Sequence, residues 1–320
     1  MRIIIVGGIA AGMSAAAKLR RTDRGAEIVV YEKSPHISFG ACGLPYYVGG
    51  NFDNIDRMLV RTPEKVRETG IDVKVEHEVL SLDVKNKTIK VKDLQSGEIF
   101  SDKYDKLMIA TGAATIIPPI ENIETAYTLR SVEDGEKLKE KIQDESIKKV
   151  AVIGAGFIGL EVADVAKELG KEVCVFNMGS RILEKVLDEE VTEILEENLR
   201  AHGVELYFNT IVKSLETSPN KIKLITDTDE VEVDLVVLAA GVRPNTSFLK
   251  DTGIEMLPNG AIVIDDEGKT SIQDIYAAGD CATVYHLVKE KQVYIPLATN
   301  ANKLGRIVGS NLGGKNEKFQ

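Results

Sequence analysis

The chain has 320 residues, a formal net charge of −10 and 28% charged residues. This length allows about two domains, and the acidic balance argues against a nucleic-acid partner. The sequence has no uncharged apolar run of the roughly 18 residues that a membrane span requires. Its three cysteines, Cys42, Cys174 and Cys281, are too far apart to form a metal-binding pair. We therefore expect no membrane partner, no metal site and a reducing, cytoplasmic location.

The N-terminal segment predicts a βαβ unit that binds a dinucleotide. An apolar strand at 3–6 runs into a glycine-rich turn at 7–12, followed by an Ala-rich helix at 13–21 and a second apolar strand at 28–31. Glycines let the backbone N–H groups at a helix start approach a pyrophosphate. The turn departs from the G-x-G-x-x-G pattern because Ile9 stands in the second glycine position.

Glu32 directly follows the second strand of this unit. A carboxylate in this place accepts hydrogen bonds from the ribose hydroxyls of an adenosine. An isolated glutamate is otherwise typical of a solvated strand end. The neighbouring glycine turn makes Glu32 a candidate cofactor residue.

Cys42 lies in the segment 38–47, ten residues after the βαβ unit, and a dithiol flavoenzyme would carry a second cysteine five residues further on. Tyr47 occupies that place. A lone thiol beside a bound dinucleotide cycles only as a mixed disulfide, a persulfide or a sulfenic acid. The alternative is a buried, inert thiol, which the glycines, proline and tyrosines around Cys42 disfavour. We therefore predict a redox role for Cys42, and core positions for Cys174 and Cys281.

The second half of the chain repeats the first. A strand at 150–153 leads into a complete G-x-G-x-x-G turn at 154–159, a helix at 160–169 and a strand at 173–176. Two such turns in the same strand–turn–helix setting indicate two dinucleotide sites. The alternative, two tight turns without a ligand, is disfavoured by the repeated architecture.

Each half continues with alternating strands, at 79–91 and 211–225, and ends with an apolar strand and glycine, at 107–112 and 236–241. A further nucleotide-site signature at 276–280 indicates that the second domain is inserted into the first. We predict an α/β fold with two Rossmann-like dinucleotide-binding domains. The predicted boundaries are 1–116 and 246–320 for the first domain and 117–245 for the inserted one.

The residue that ends the second strand of the inserted domain is Asn177, not a carboxylate. A carboxylate there favours NAD and repels the 2′-phosphate of NADP. Arg181 lies nearby and can meet a phosphate, or it can simply cap a solvent-facing turn. The sequence therefore leaves both NADPH and NADH open as the nucleotide.

The chain resembles the single-cysteine branch of the pyridine nucleotide–disulfide oxidoreductases. This branch holds coenzyme A-disulfide reductases, persulfide or polysulfide reductases, and NADH oxidases and peroxidases. The resemblance covers the whole chain and is carried by residues 7–12, 31–33, 38–47, 110–112, 128–131, 154–161, 240–245 and 276–280. It implies FAD in the first domain, NADH or NADPH in the second, and reduction of coenzyme A disulfide or a related persulfide through Cys42.

The resemblance also implies which residues contact the two cofactors. The candidates for FAD are Gly7, Gly8, Ala10, Ala11, Gly12, Glu32, Lys33, Val79, Ala110, Thr111, Gly112, Arg130, Gly279, Asp280, Leu297, Ala298 and Thr299. The candidates for NAD(P)H are Ile153, Gly154, Gly156, Phe157, Ile158, Gly159, Glu161, Asn177, Arg181 and Gly241.

The resemblance also gives some residues more specific roles. Asp280 would hold the ribityl chain of FAD, and residues 296–299 would open a helix at the pyrimidine end of the flavin, where its dipole stabilises negative charge. Phe157 would cover the flavin until nicotinamide displaces it. Without the resemblance, Phe157 would be interpreted as a core aromatic.

The expected substrate residues are, by resemblance, Ser14, Lys18, Arg21, Ser38 and Asn302. Lys18 and Arg21 give an acidic protein a local positive charge that suits a phosphorylated nucleotide. Basic residues late in a helix also suit its dipole and face solvent, and this simpler interpretation stays open.

Three alternatives remain at this point. The first is an NAD(P)H oxidase or peroxidase that cycles a Cys42 sulfenate. Oxidases and peroxidases of the family commonly carry histidine where this chain has Ala10, so Ala10 disfavours this alternative but leaves it open. In a second alternative, Cys42 is a bystander and the flavin passes electrons to a small protein. In the third, the chain is a truncated nucleotide-binding fragment with little activity, because the family's C-terminal interface domain, which forms a homodimer in the parent enzyme, is expected to be absent.

Overall fold

Residues 1–319 are described by a computed structural model, in which both predicted βαβ units form. The helices are α1 (Ala10–Thr22), α2 (Leu44–Val48), α3 (Pro63–Arg67), α4 (Val132–Gln143), α5 (Phe157–Glu168), α6 (Glu189–Ala201) and α7 (Ala298–Leu312). The strands of the first half are β1 (Arg2–Val6), β2 (Glu27–Tyr31), β3 (Ile71–Lys74), β4 (His77–Asp83), β5 (Thr88–Asp93), β6 (Ile99–Lys103), β7 (Lys106–Ile109) and β8 (Ala113–Thr115). Those of the second half are β9 (Lys149–Ile153), β10 (Glu172–Phe176), β11 (Val204–Tyr207), β12 (Val212–Thr217), β13 (Ile222–Thr226), β14 (Glu230–Val233), β15 (Leu235–Leu238), β16 (Val242–Pro244), β17 (Ile275–Ala277), β18 (Val284–His286) and β19 (Lys291–Val293).

The chain divides into two compact units. The first contains Met1–Gly40, Arg57–Ala114 and the chain from Arg243, and the second contains Ala41–Asp56 and Thr115–Val242. The segment Ala41–Asp56, which carries Cys42, therefore groups with the second unit, although the predicted boundaries place it in the first domain.

The first unit is built on a five-stranded sheet in the order β17-β7-β1-β2-β3, with parallel pairing throughout. Ile3, Ile4 and Ile5 of β1 are fully buried. A parallel sheet covered on both faces needs such continuous apolar strands. Strands β4, β5 and β6 add an antiparallel meander, and β18 pairs with β19.

The second unit repeats this plan with a four-stranded parallel sheet in the order β11-β10-β9-β15. Its meander is formed by β12, β13 and β14. The predicted α/β class with Rossmann-type domains is confirmed. Within residues 1–319, no helix has the length and hydropathy required to cross a membrane.

Candidate dinucleotide and thiol sites

The turn between β1 and α1 needs glycine at its first and last positions. Gly7 has a φ of +105°, and a Cβ there would overlap the carbonyl oxygen of Ala110. A Cβ on Gly12 would overlap the carbonyl oxygen of Gly7. The glycines thus bring the helix start against the strand, as a pyrophosphate site requires.

Glu32 lies beside this turn and is 8% exposed. Its carboxylate accepts hydrogen bonds from the backbone N–H of Gly8 at 2.6 Å and of Ser34 at 2.8 Å. Two backbone donors hold the carboxylate at the end of β2, where an adenosine ribose binds in this type of fold. The alternative of a solvated strand-end glutamate is wrong.

Thr111 and Gly112, which follow β7, are held by Asn245. The Thr111 hydroxyl donates to the Asn245 carbonyl at 2.8 Å, the Asn245 side-chain amide donates to the Thr111 carbonyl at 3.1 Å, and the Asn245 N–H donates to the Gly112 carbonyl at 3.0 Å. Asn245 is not among the site residues predicted from the sequence, although it ends the matching segment 240–245.

Helices α1 and α7 pack closely because glycines on α7 face alanines on α1. A Cβ on Gly305 would lie 2.5 Å from the carbonyl oxygen of Ala11, and a Cβ on Gly309 would overlap that of Ala15. This contact brings two of the expected substrate residues together, since the Ser14 hydroxyl donates to the Asn302 side-chain oxygen at 2.9 Å.

The other three expected substrate residues also lie in the first unit. Lys18 pairs with Glu317 at 3.8 Å. Arg21 is exposed and helps to line an open cleft of about 740 Å³ together with Arg20 and Arg24. Ser38 donates its backbone N–H to the Gly8 carbonyl at 2.9 Å, which places it beside the glycine turn.

The remaining candidates for FAD occupy varied settings. Lys33 pairs with Glu78 at 2.7 Å, and Val79 is buried in β4. The Asp280 carbonyl accepts from the Tyr294 hydroxyl at 3.0 Å. Residues 297–299 are exposed at the start of α7. Arg130 lies in the second unit, where its N–H donates to the Asp134 carboxylate at 2.9 Å.

The turn between β9 and α5 reproduces the first turn. Gly154 has a φ of +111°, and its Cβ would overlap the carbonyl oxygen of Ala239, while a Cβ on Gly159 would overlap the carbonyl oxygen of Gly154. Apart from its two neighbours in the chain, no described residue places an atom within 4 Å of a Cβ built on Gly156. The first and last glycines close the turn and the middle one faces open space, so the cradle fits a pyrophosphate.

Phe157 and Glu161 lie on the first turns of α5. Phe157 is 52% exposed, so its interpretation as a core aromatic is wrong, and its role as a cover of the flavin stays a prediction. Partial removal from water raises the pKa of the Glu161 carboxyl, although its side chain still reaches the surface.

Arg181 is engaged by its own loop. Its guanidinium donates to the carbonyl oxygens of Leu187 at 2.8 Å and Glu184 at 3.3 Å. The Asn177 side-chain amide donates to the Arg181 carbonyl at 3.1 Å. These bonds favour the interpretation in which Arg181 stabilises a turn, and they place Asn177 at the end of β10.

Cys42 is exposed and lies in a short 3-10 turn, Ala41–Gly43, directly before α2. Tyr47, in the place of a second cysteine, is buried. Burial raises the pKa of the Tyr47 hydroxyl, and the nearby Glu136 and Asp53 carboxylates raise it further. The alternative of a buried, inert Cys42 is wrong.

The other two thiols are fully buried, as expected. Burial raises the pKa of Cys174 to about 12 and that of Cys281 to about 11. The Cys281 thiol also donates to the carbonyl oxygens of Ile109 and Ala278 at 3.4 Å each. Thiols that stay protonated and buried are poor nucleophiles, so Cys42 is the chemically available one.

Residues 1–305 match the pyridine nucleotide-disulphide oxidoreductase family. An NADH oxidase of Enterococcus faecalis is 39% identical, over 98% of this chain and 70% of its own length. An NAD(P)H coenzyme A polysulfide/persulfide reductase of Pyrococcus horikoshii is 35% identical, over 99% of this chain and 71% of its own. The solved structure of an NAD-dependent persulfide reductase from A. fulgidus is similar with a TM-score of 0.94 and 37% identity, over 100% of this chain and 60% of its own.

Proposed function

Because the chain belongs to the pyridine nucleotide-disulphide oxidoreductase family, we propose that it reduces coenzyme A disulfide or a related persulfide with electrons from NAD(P)H. One observation carries the proposal: Cys42 is an exposed thiol, while Tyr47 fills the place of a second cysteine. A single accessible thiol must form its disulfide with the substrate.

The two cradles divide the cofactors between them. Glu32 and the turn 7–12 would hold the adenosine and pyrophosphate of FAD, and the turn 154–159 would hold those of NAD(P)H. FAD, when bound, supplies two-electron transfer between the reduced nicotinamide and sulfur.

Cys42 acts on the substrate as a nucleophile. Its thiolate attacks the sulfur–sulfur bond of the substrate, so that a bond from Cys42 Sγ to the substrate sulfur forms and coenzyme A leaves as a thiolate that takes a proton from water. With coenzyme A disulfide, two electrons from NAD(P)H and a proton from water then break this new sulfur–sulfur bond, release the second coenzyme A thiol and restore the Cys42 thiolate. With a persulfide substrate, Cys42 carries the transferred sulfur, and the same two electrons release it as hydrogen sulfide.

The coenzyme A portion would bind along α1. Ser14 of α1 is already in contact with Asn302 of α7. Lys18 follows Ser14 by one helical turn, so Ser14 and Lys18 lie on one face of α1. Lys18 and Arg21 would meet the phosphates. We further propose that the enzyme works as a homodimer in the cytoplasm, where three unpaired cysteines suit a reducing compartment.

The test is NAD(P)H consumption with coenzyme A disulfide and with coenzyme A persulfide, in the FAD-loaded protein and in Cys42→Ser. We expect Cys42→Ser to lose at least about a thousandfold in rate, as loss of a nucleophile does. Cys174→Ala, which changes a buried thiol, serves as the matched control and should keep its activity. Equal rates in the parent and Cys42→Ser would refute the proposal.

A second candidate is an NAD(P)H oxidase or peroxidase that cycles a Cys42 sulfenate, favoured by the 39% identity with an NADH oxidase. Oxygen or peroxide turnover much faster than disulfide turnover would select it. A protein that binds FAD but turns over none of these substrates would instead indicate a nucleotide-binding fragment with little activity. A protein that stays colourless with added FAD would contradict the proposed function in every version.

A further inference from the structure

Lys139 of α4 contacts three parts of the segment that carries Cys42. Its Nζ lies 4.2 Å from the centroid of the Tyr47 ring. It donates to the Phe52 carbonyl at 3.1 Å and to the Asp53 carboxylate at 3.2 Å. The Tyr47 and Phe52 rings are themselves in contact, with centroids 5.7 Å apart.

Of these contacts, the ion pair between Lys139 and Asp53 contributes least. The Lys139 side chain is only 12% exposed, whereas the Asp53 side chain is 98% exposed. A carboxylate in water contributes little to a salt bridge. A largely buried ammonium needs partners within the protein, and the Tyr47 ring face and the Phe52 carbonyl supply them.

Lys139 belongs to a stripe on α4 that faces α2. Gly135, Lys139 and Gln143 recur every fourth residue and so share one helix face. A Cβ on Gly135 would lie 2.5 Å from Cδ2 of Leu44, and the Gln143 side chain donates to the Val48 carbonyl at 3.2 Å. The stripe therefore contacts α2 from its first residue, Leu44, to its last, Val48.

We propose that Lys139 is a positioning residue for the redox thiol, which acts by holding Tyr47 and Phe52 and so fixing α2 behind Cys42. The proposal rests on the proposed function of Cys42. Attack on a disulfide requires the thiolate in line with the sulfur–sulfur bond, and small misplacements of a reacting group are costly. Tyr47 then serves as the ring that Lys139 binds, in the place where a dithiol enzyme would carry its second cysteine.

The test compares Lys139→Met, which keeps the length of the side chain and removes its charge, with Lys139→Arg, which keeps the charge. In the FAD-loaded protein we expect Lys139→Met to lower kcat for coenzyme A disulfide about tenfold, with KM for NAD(P)H unchanged. Lys139→Arg should restore most of the rate, because a guanidinium also binds an aromatic face. Lys137→Met, which alters an exposed lysine on the same helix, is the matched control and should behave like the parent.

Two further measurements separate positioning from general stability. Tyr47→Leu should cause the same loss as Lys139→Met, and the double variant should lose no more than either one, because both changes remove one contact. Alkylation of Cys42 by iodoacetamide should change in rate by about threefold or more in Lys139→Met and Tyr47→Leu but not in Lys137→Met. If Lys139→Met does not fold, Tyr47→Leu tests the same contact from its other side.

The proposal is overturned if Lys139→Met, or Tyr47→Leu in its place, keeps both the parent kcat and the parent alkylation rate. It is also overturned if the two losses add in the double variant. The Cys42→Ser variant distinguishes failure of this proposal from failure of the proposed function. If the proposed function is wrong, Cys42→Ser keeps its activity; if only the role of Lys139 is wrong, Cys42→Ser still loses it.

Discussion

The two units use one backbone plan but end their second strands differently. Gly7 and Gly154 have nearly the same positive φ, and each approaches the carbonyl oxygen of an alanine, Ala110 directly after β7 and Ala239 directly after β15. After β2 stands Glu32, held by two backbone donors, whereas after β10 stands Asn177, held to its own loop. From this difference we propose that the shared turn provides dinucleotide binding in general, and that the strand-end residue sets which nucleotide is preferred.

We expect the largest effect from a side chain added at the last glycine of either turn, Gly12 or Gly159. In Gly12→Val and Gly159→Val the new side chain would overlap a backbone carbonyl oxygen, which cannot move away as a side chain can. We expect a loss of about 3 kcal/mol in stability. Gly12→Val should lose flavin, while Gly159→Val should keep flavin and lose NAD(P)H binding.

Flavin absorbance and NAD(P)H titration measure these two losses, and thermal unfolding measures stability. Gly25→Ala, at an exposed position without a positive φ, is the control and should match the parent. Loss of flavin in Gly159→Val but not in Gly12→Val would reverse the assignment of the two cradles.

The next largest effect distinguishes the two strand ends. Glu32→Ala would leave the N–H groups of Gly8 and Ser34 without their carboxylate acceptor. It would also remove the acceptor for the ribose hydroxyls of FAD. Because a hydrogen bond to a charged group contributes roughly 1.5–3 kcal/mol, FAD affinity should fall about 10- to 100-fold. Asn177→Ala removes only a hydrogen bond between neutral groups, from the side-chain amide to the Arg181 carbonyl. NAD(P)H affinity should therefore fall only about fivefold.

Titration of the FAD-free protein with FAD, and of the loaded protein with NAD(P)H, gives both affinities. Equal losses in Glu32→Ala and Asn177→Ala would show that the strand ends are equivalent after all.

A smaller effect concerns nucleotide preference in the second unit. The Arg181 guanidinium is held by the Leu187 and Glu184 carbonyls, so Arg181→Ala should weaken NADPH and NADH alike, by about threefold. Asn177→Asp should shift preference toward NADH, because its charge repels a 2′-phosphate.

Steady-state KM values for the two nucleotides check this pair of variants. If Arg181→Ala weakened NADPH alone, by roughly 1–3 kcal/mol, Arg181 would be a phosphate ligand in the nucleotide complex.

The smallest effect is a pH dependence that both units share. Burial by itself raises the pKa of the Asp234 carboxyl, but Lys221 at 2.7 Å and the N–H groups of Lys149 and Lys148 bring it below its ordinary value. In the first unit, burial again opposes a lower pKa of Asp102, and the Arg2 guanidinium and the Tyr31 hydroxyl prevail.

A carboxyl with a lowered pKa stabilises the fold above its unfolded pKa of about 4, and this contribution is lost as pH falls through the lower folded value. Asp234→Asn and Asp102→Asn should each destabilise the protein at neutral pH by about 0.5 kcal/mol and flatten its loss of stability below about pH 4. Chemical denaturation across that range measures both, and an unchanged acid profile would contradict the prediction.

The sequence predicts the strands of both βαβ units to within one residue, because an apolar run bounded by turns is a local signal. The predicted strand 28–31 is observed as Glu27–Tyr31. Helices begin three residues earlier than predicted, at Ala10 and Phe157, because the last residues of each glycine turn already have helical geometry.

The predicted meanders missed their third strands, β6 and β14, whose residues are mostly charged or exposed. The sequence also did not predict contacts between residues that lie far apart in the chain. Asn245 and Thr111 meet only when strands far apart in the chain are paired, and Lys139 lies in a highly charged helix with no sign that it contacts an aromatic ring. Such contacts depend on how elements pack, which a single sequence does not record.

The packing of α7 on α1 bears on how the protein folds as it is synthesised. Residues 115–242 of the second unit leave the ribosome without interruption, whereas α1 must wait for Gly305 and Gly309, and β7 must wait for β17. At typical translation rates, residues 110–274 take roughly 10–30 s to add. During this time the apolar face of α1 and one edge of the first sheet lack their final partners, so chaperone contact and aggregation are expected to concentrate at the N-terminal unit.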